Sequence, residues 1–308
     1  MTAAHAPAAV CYGVTRVIPV GAEPYGVAVD PPARTVYVTN YRDGTVSVID
    51  AATGTVTRTI PVGVGPMGVA VDPAARTVYV TNTGGDTVSV IDAGTGTVTG
   101  TIPVGHFSDA VAADPATRTV YVTNNSDDTV SVIDAATSTV TRTIPVGSHP
   151  AGVAVDPATR TVYVANEGDN TVSVISAATG TVTRTIPVGV FPYGVAVDPA
   201  TRTVYVSSYG SSTVSAIDEA TGTVNGAVSV GTEPYGVAVD PAARTVYASS
   251  YVDGIVSVID GATTTVTATI RVDANSSQLG VAVDPGTHTA YVANLGAGTV
   301  SVISRCRT

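Results

Sequence analysis

The tetrapeptide Tyr37-Val38-Thr39-Asn40 returns in recognisable form at Tyr79, Tyr121, Tyr163, Tyr205, Tyr247 and Tyr291, spaced by 42 residues five times and then by 44. A recurrence this regular over most of 308 residues restricts the chain to architectures in which one supersecondary unit packs on its own copies. The first unit reads as four short strands, 25–30 (a), 34–39 (b), 45–50 (c) and 56–62 (d). They are separated by the turn-forming segments D-P-P-A-R, N-Y-R-D-G and D-A-A-T-G-T. Valine and threonine dominate, and no stretch sustains helical periodicity, so helices should be nearly absent. Seven four-stranded antiparallel meanders arranged radially make an all-β, seven-bladed β-propeller. We expect one domain over 1–308, with 1–13 as an N-terminal extension.

Side-chain size fits that geometry. Strand a carries Gly26, Val27 and Ala28, small enough for the crowded axis, while strand b places Val36, Tyr37 and Val38 where a blade widens. Pro61 in strand d has no N–H for a ladder and marks d as the outer edge. The last repeat stops after strand c at 299–304, and the chain opens with V-T-R-V-I-P-V at 14–20, a copy of the strand-d sequence V-T-R-T-I-P-V. The N-terminal strand therefore completes blade seven and removes the free edges of a linear array. Aligning the closing blade on an ordinary one puts Cys306 at the place of Ala52 and Cys11 at that of Thr53. These two cysteines are the candidates for a disulfide across the closure, the alternative being two free thiols.

Charge bounds the partners. The chain has 14 basic residues, all arginine, against 24 acidic ones, a formal charge of −10. Nucleic acid is a poor partner for such a surface, and no apolar run reaches the length of a membrane helix. The opening MTAAHAPAAV has neither the basic start nor the apolar core of a secretory leader. The expectation is a monomer, cytoplasmic if the chain is complete, secreted or periplasmic if a leader has been removed.

The Y-V-T-N tetrads and the P-x-G-V-A-V-D-P segments resemble the YVTN-repeat β-propeller family, and more remotely the propellers typified by virginiamycin B lyase. The likeness runs from Val14 onward and implies the same ring of blades. Members of the family it resembles include surface-layer and periplasmic proteins and a periplasmic propeller associated with DNA. The catalytic set of the lyase finds no residue-by-residue match, so none of its sites is carried over.

The seven internal copies act as their own control, because whatever varies at one position across the copies is not required by the fold. The a–b and c–d turns, which share one face, barely vary. On the opposite face three rings do. Three residues before the strand-a glycine stand Glu23, Gly65, Phe107, His149, Phe191, Glu233 and Ser277. Directly before that glycine stand Tyr25, Met67, Asp109, Ala151, Tyr193, Tyr235 and Leu279. After the tetrad come Tyr41, Thr83, Asn125, Glu167, Tyr209, Tyr251 and Leu295. Apart from the seven repeat tyrosines and Tyr12, every Tyr and Phe lies in these rings. Flat rings with hydroxyls suit a small organic molecule in an axial funnel.

The expected ligand-binding set is Tyr25, Tyr41, Arg42, Glu23, Met67, Phe107, Phe191, Tyr193, Tyr209, Glu233, Tyr235 and Tyr251. His149 with Glu167, and beside them Asp109 and His106, are the candidates for acid–base work of a lyase, cyclase or isomerase. No cofactor is predicted. The same four side chains could hold a divalent metal, although they lack compact ligand spacing. No nucleophile elbow or phosphate-binding glycine loop is present. The competing reading is a non-catalytic scaffold of cell-surface type that contacts a protein or glycan through the same tyrosines.

Overall fold

The computed structural model describes residues 11–273 and 276–306. Seven four-stranded antiparallel sheets form the blades. In blade one the strands are Pro24–Asp30 (a), Thr35–Asn40 (b), Thr45–Asp50 (c) and Thr55–Pro61 (d), hydrogen-bonded in that order. Blade seven is assembled from both ends of the chain. Its order is Tyr12–Pro19, Thr299–Arg305, Thr289–Asn294 and Gln278–Asp284, so the N-terminal strand occupies the outer place. That strand begins two residues earlier than the sequence suggested and shortens the expected extension, of which residues 1–10 lie outside the described residues. Arg34, expected to open strand b, sits instead in the a–b turn at φ +54°. Two single 3₁₀ turns, Thr83–Gly85 and Tyr209–Ser211, are the helical pieces among the described residues.

The hydrophobic core lies between blades rather than within them. Tyr37, Val46, Val48 and Ile60 of blade one pack against Val78, Val80 and Ile91 of blade two, and the other interfaces repeat the pattern. Tyr37 is 2% exposed and Val36 not at all. Each buried aliphatic side chain of this kind contributes about 1.5–3 kcal/mol.

Near the axis the contacts become backbone contacts. The strand-a glycines lie against the carbonyls of the next blade: a methyl group on Gly194 would sit 2.5 Å from the Tyr235 oxygen, and one on Gly68 2.7 Å from that of Asp109. The tetrad threonine laces the same seam. Thr39 Oγ1 accepts from the Gly26 N–H (2.8 Å) and donates to the Met67 carbonyl (2.7 Å) of blade two. The tetrad asparagine ties the loops above, since Asn40 accepts from Gly21 N–H and donates to Thr45 and Ser47. Cys11 and Cys306 are joined by a disulfide with their Cα atoms 5.2 Å apart, across a sequence separation of 295.

Candidate functional site

Every blade carries a register shift in strand a, between Pro24 and Val27 in blade one and at the matching place in the other six. The unpaired residues are the glycine, replaced by Ala110 in blade three, and the variable residue before it. A bulge re-aims side chains, and here it brings one side chain per blade to the axis at its upper end, where the d–a and b–c loops lie.

Those side chains close the opening. Tyr193 donates its hydroxyl to Asp109, 2.9 and 3.1 Å from the two carboxyl oxygens, across 84 residues of sequence. The Tyr25 hydroxyl lies 3.1 Å from that of Tyr193 and is hydrogen-bonded to that of Tyr235. The Tyr193 and Tyr235 rings stack with centroids 3.8 Å apart, and Tyr25 meets Tyr235 edge-on at 5.7 Å. Met67, Ala151 and Leu279 are buried around them. The feature the sequence suggested as a funnel is thus floored by a hydrogen-bonded tyrosine–carboxyl chain.

Burial dominates the electrostatics of this floor. Asp109, 4% exposed, is pushed up to about 7 by loss of solvent, opposed by the Tyr193 hydrogen bond and reinforced by the nearby Glu167 charge. Glu167 is itself raised by burial and drawn back by His149. The Tyr193 and Tyr235 hydroxyls rise well above the phenol range, again mainly by burial. On the rim, Tyr209 is pushed up to about 12 by its hydrogen bond to Glu233.

The other two rings are stitched together by backbone. The N–H groups of Tyr41, Glu167, Tyr209 and Tyr251 donate to the carbonyls of Glu23, His149, Phe191 and Glu233 at 2.9–3.0 Å. The carbonyl residues are left-handed: Glu23, Phe107, His149, Phe191 and Glu233 have φ between +50° and +55°, where blade two uses Gly65 at +62°. A side chain there costs about 1–2 kcal/mol that glycine avoids. Tyr41 lies 6.3 Å from Tyr25, and Tyr251 6.3 Å from both Tyr235 and Tyr209. An unbroken arc of rings therefore spans blades five, six and one.

The ionisable candidates are more scattered. His149 is exposed and its Nδ1 lies 3.0 Å from Ser148 Oγ, not in a described hydrogen bond with Glu167. His106 pairs at 2.9 Å with Asp127, which raises its affinity for a proton. Arg42 stands 3.9 Å from Glu23, both partly in solvent. Among the described residues no three His, Cys, Asp or Glu side chains are grouped to hold a metal.

One informative residue escaped the sequence reading. Glu219 replaces the alanine or glycine that five other c–d turns carry at its place, and it lies on the lower face. Its side chain, 4% exposed, reaches into the crevice between blades four and five. There it accepts from Tyr163 (2.8 Å) and Thr159 (2.9 Å) and faces Arg202 at 3.6 Å. It was legible only as the fourth glutamate, the one outside the rings.

Residues 5–104, 101–201 and 149–244 each match a family model described as YNCE-like beta-propeller. No curated protein matches the sequence. Among solved structures, one titled Kuenenia stuttgartiensis hydrazine synthase superposes with a TM-score of 0.82 over 99% of each chain, at 20% identity. At that identity the likeness concerns the fold alone. The family matches cover well over half of the chain, and the protein belongs to the YNCE-like β-propeller family.

Proposed function

We propose that the protein is a recognition propeller that binds a partner across its upper face without transforming it. The observation that carries this reading is the contrast between a closed axis and an exposed aromatic rim. The Asp109–Tyr193–Tyr25–Tyr235 chain fills the axis, whereas Phe107 and Phe191 are each 46% exposed and Tyr41 39%. Phe107 and Phe191 hold apolar rings in solvent on a left-handed backbone better suited to glycine, Tyr41 adds a third exposed ring, and such rings suit a contact surface. The likeness of the tetrads to YVTN-repeat surface proteins points the same way.

Selection from a displayed random-peptide library tests the proposal. The expected outcome is peptides that bind the native protein and lose binding to a Phe107→Gly, Phe191→Gly, Tyr41→Thr variant, whose residues blade two already uses at Gly65 and Thr83. Peptides that bind both proteins equally would overturn it.

A second reading is favoured by Asp109. A carboxyl group held at about 7 beside tyrosine hydroxyls is poised for proton transfer to a small organic molecule resting on the floor, with His149 and Glu167 at its edge. The chain has no tryptophan, so tyrosine emission reports directly on such binding. Under this reading a bound molecule quenches that emission, and Asp109→Asn abolishes turnover while sparing binding.

A further inference from the structure

The exposed aromatic face carries nearly all of the protein's net charge. The d–a and b–c segments and the axial ring hold eleven of the 24 carboxylates but only two of the 14 arginines, Arg42 and Arg271. Eleven against two leaves −9 on the upper face, and the thirteen acids and eleven arginines elsewhere among the described residues leave −2. The repeat alone predicts no such division, because every blade has both faces.

Part of this charge has a structural task, and the internal copies show that the task does not require charge. Asp43, Asp127 and Asp169 accept from backbone N–H groups of the adjoining d–a loops at 2.7 Å. In blade five Ser211 does the same for Val190, also at 2.7 Å. Asn170 holds Phe191 N–H at 2.8 Å, as Asp86 holds that of Phe107. The loops would close as well with neutral side chains, so the surplus of carboxylates points outward, to what the face meets.

Resting on the recognition reading above, we infer that the partner is a basic polypeptide segment, its lysine or arginine side chains lying over the tyrosine arc between Glu23, Glu167 and Glu233. The arc offers ring faces to the cations and apolar contact to their stems. The carboxylates around it supply attraction that reaches beyond contact distance. Arg42, the rim cation that follows Tyr41 of the arc, is already drawn to Glu23.

Fluorescence anisotropy with labelled decalysine, decaglutamate and a glycine-serine decapeptide tests this on the full chain. Two variants remove three charges each, using residues other blades already carry at the same places. Glu23→Gly, Glu167→Thr and Glu233→Gly alter the arc, and Asp50→Ser, Asp134→Ser and Glu219→Ala alter the lower face. The expected result is binding of decalysine alone, weakened about tenfold or more by the arc variant and less than about twofold by the lower-face variant. It should also weaken between about 50 and 200 mM salt.

Equal loss in both variants would reduce the effect to overall charge and overturn the inference, as would equal binding of the neutral peptide. If library peptides bind through Phe107 and Phe191 while decalysine does not bind, the recognition reading stands and the basic partner falls. If neither binds, both fall. Displacement of decalysine by tetramethylammonium at comparable concentration would give the face to a small organic cation instead.

Discussion

Asp109 ties the axial floor to solution pH. Its carboxyl titrates at about 7 in the fold but near the ordinary value of 3.8 once the chain unfolds, so the folded state binds more protons between the two. Stability therefore declines as pH rises from about 4 and levels off above about 7, by a few kcal/mol in all. Asp109→Asn keeps an oxygen to accept from Tyr193 and should flatten that decline, which denaturant titrations at several pH values would read. Parallel curves for the two proteins would contradict burial as the cause. Phe107 offers a contrasting case. Phe107→Gly leaves the N–H that Asp86 holds and relieves a left-handed side chain, so thermal unfolding should show stability unchanged or raised by up to about 1 kcal/mol. The three variable rings were legible because seven copies expose any departure from the repeat. The link between Tyr193 and Asp109 was not, because it depends on a bulge that turns both side chains inward from two blades that are not neighbours.

Neighbouring strands show a second kind of matching. In strand d, Arg16, Arg58, Arg142 and Arg184 each press their guanidinium against the c–d turn of the following blade, where Gly54, Gly96, Gly180 and Gly222 stand at positive φ. Where strand d has Gly100 or Gly226 instead, the opposing turn carries Ser138 or Thr264. The arginine needs the room that a glycine leaves. Gly100→Arg alone should therefore destabilise blades two and three, and adding Ser138→Gly should recover about 0.5–3 kcal/mol as a coupling in a double-mutant cycle. Additive changes would show that the pairing is accidental. Four strands per blade and the outer place of strand d followed from repeat length and Pro61. Strand ends shifted by one or two residues, because the turn residue Arg34 adopts a left-handed backbone that composition does not announce. Glu219 stayed hidden for a similar reason: its partners Tyr163 and Thr159 belong to another blade.

For the whole ring, closure rests on one strand and one covalent bond. The Cys11–Cys306 disulfide spans 295 residues, and the chain-entropy argument gives a bond over so long a loop about 5–6 kcal/mol. Reduction, or a Cys11→Ser variant, should lower the unfolding midpoint and speed amide exchange first in Tyr12–Pro19 and its partner Thr299–Arg305. Uniform loss of protection in all seven blades would mean that the ring opens only as a unit. The order of synthesis adds a constraint of its own. The segment Tyr12–Pro19 leaves the ribosome long before its partner Thr299–Arg305, with every other strand of the ring made in between. At roughly 5–20 residues per second the earlier-made of the two strands waits on the order of fifteen seconds to a minute for its mate. Through that interval the nascent protein exposes a valine-rich edge at each end, and a guardian that shields such edges during translation would bear directly on its yield.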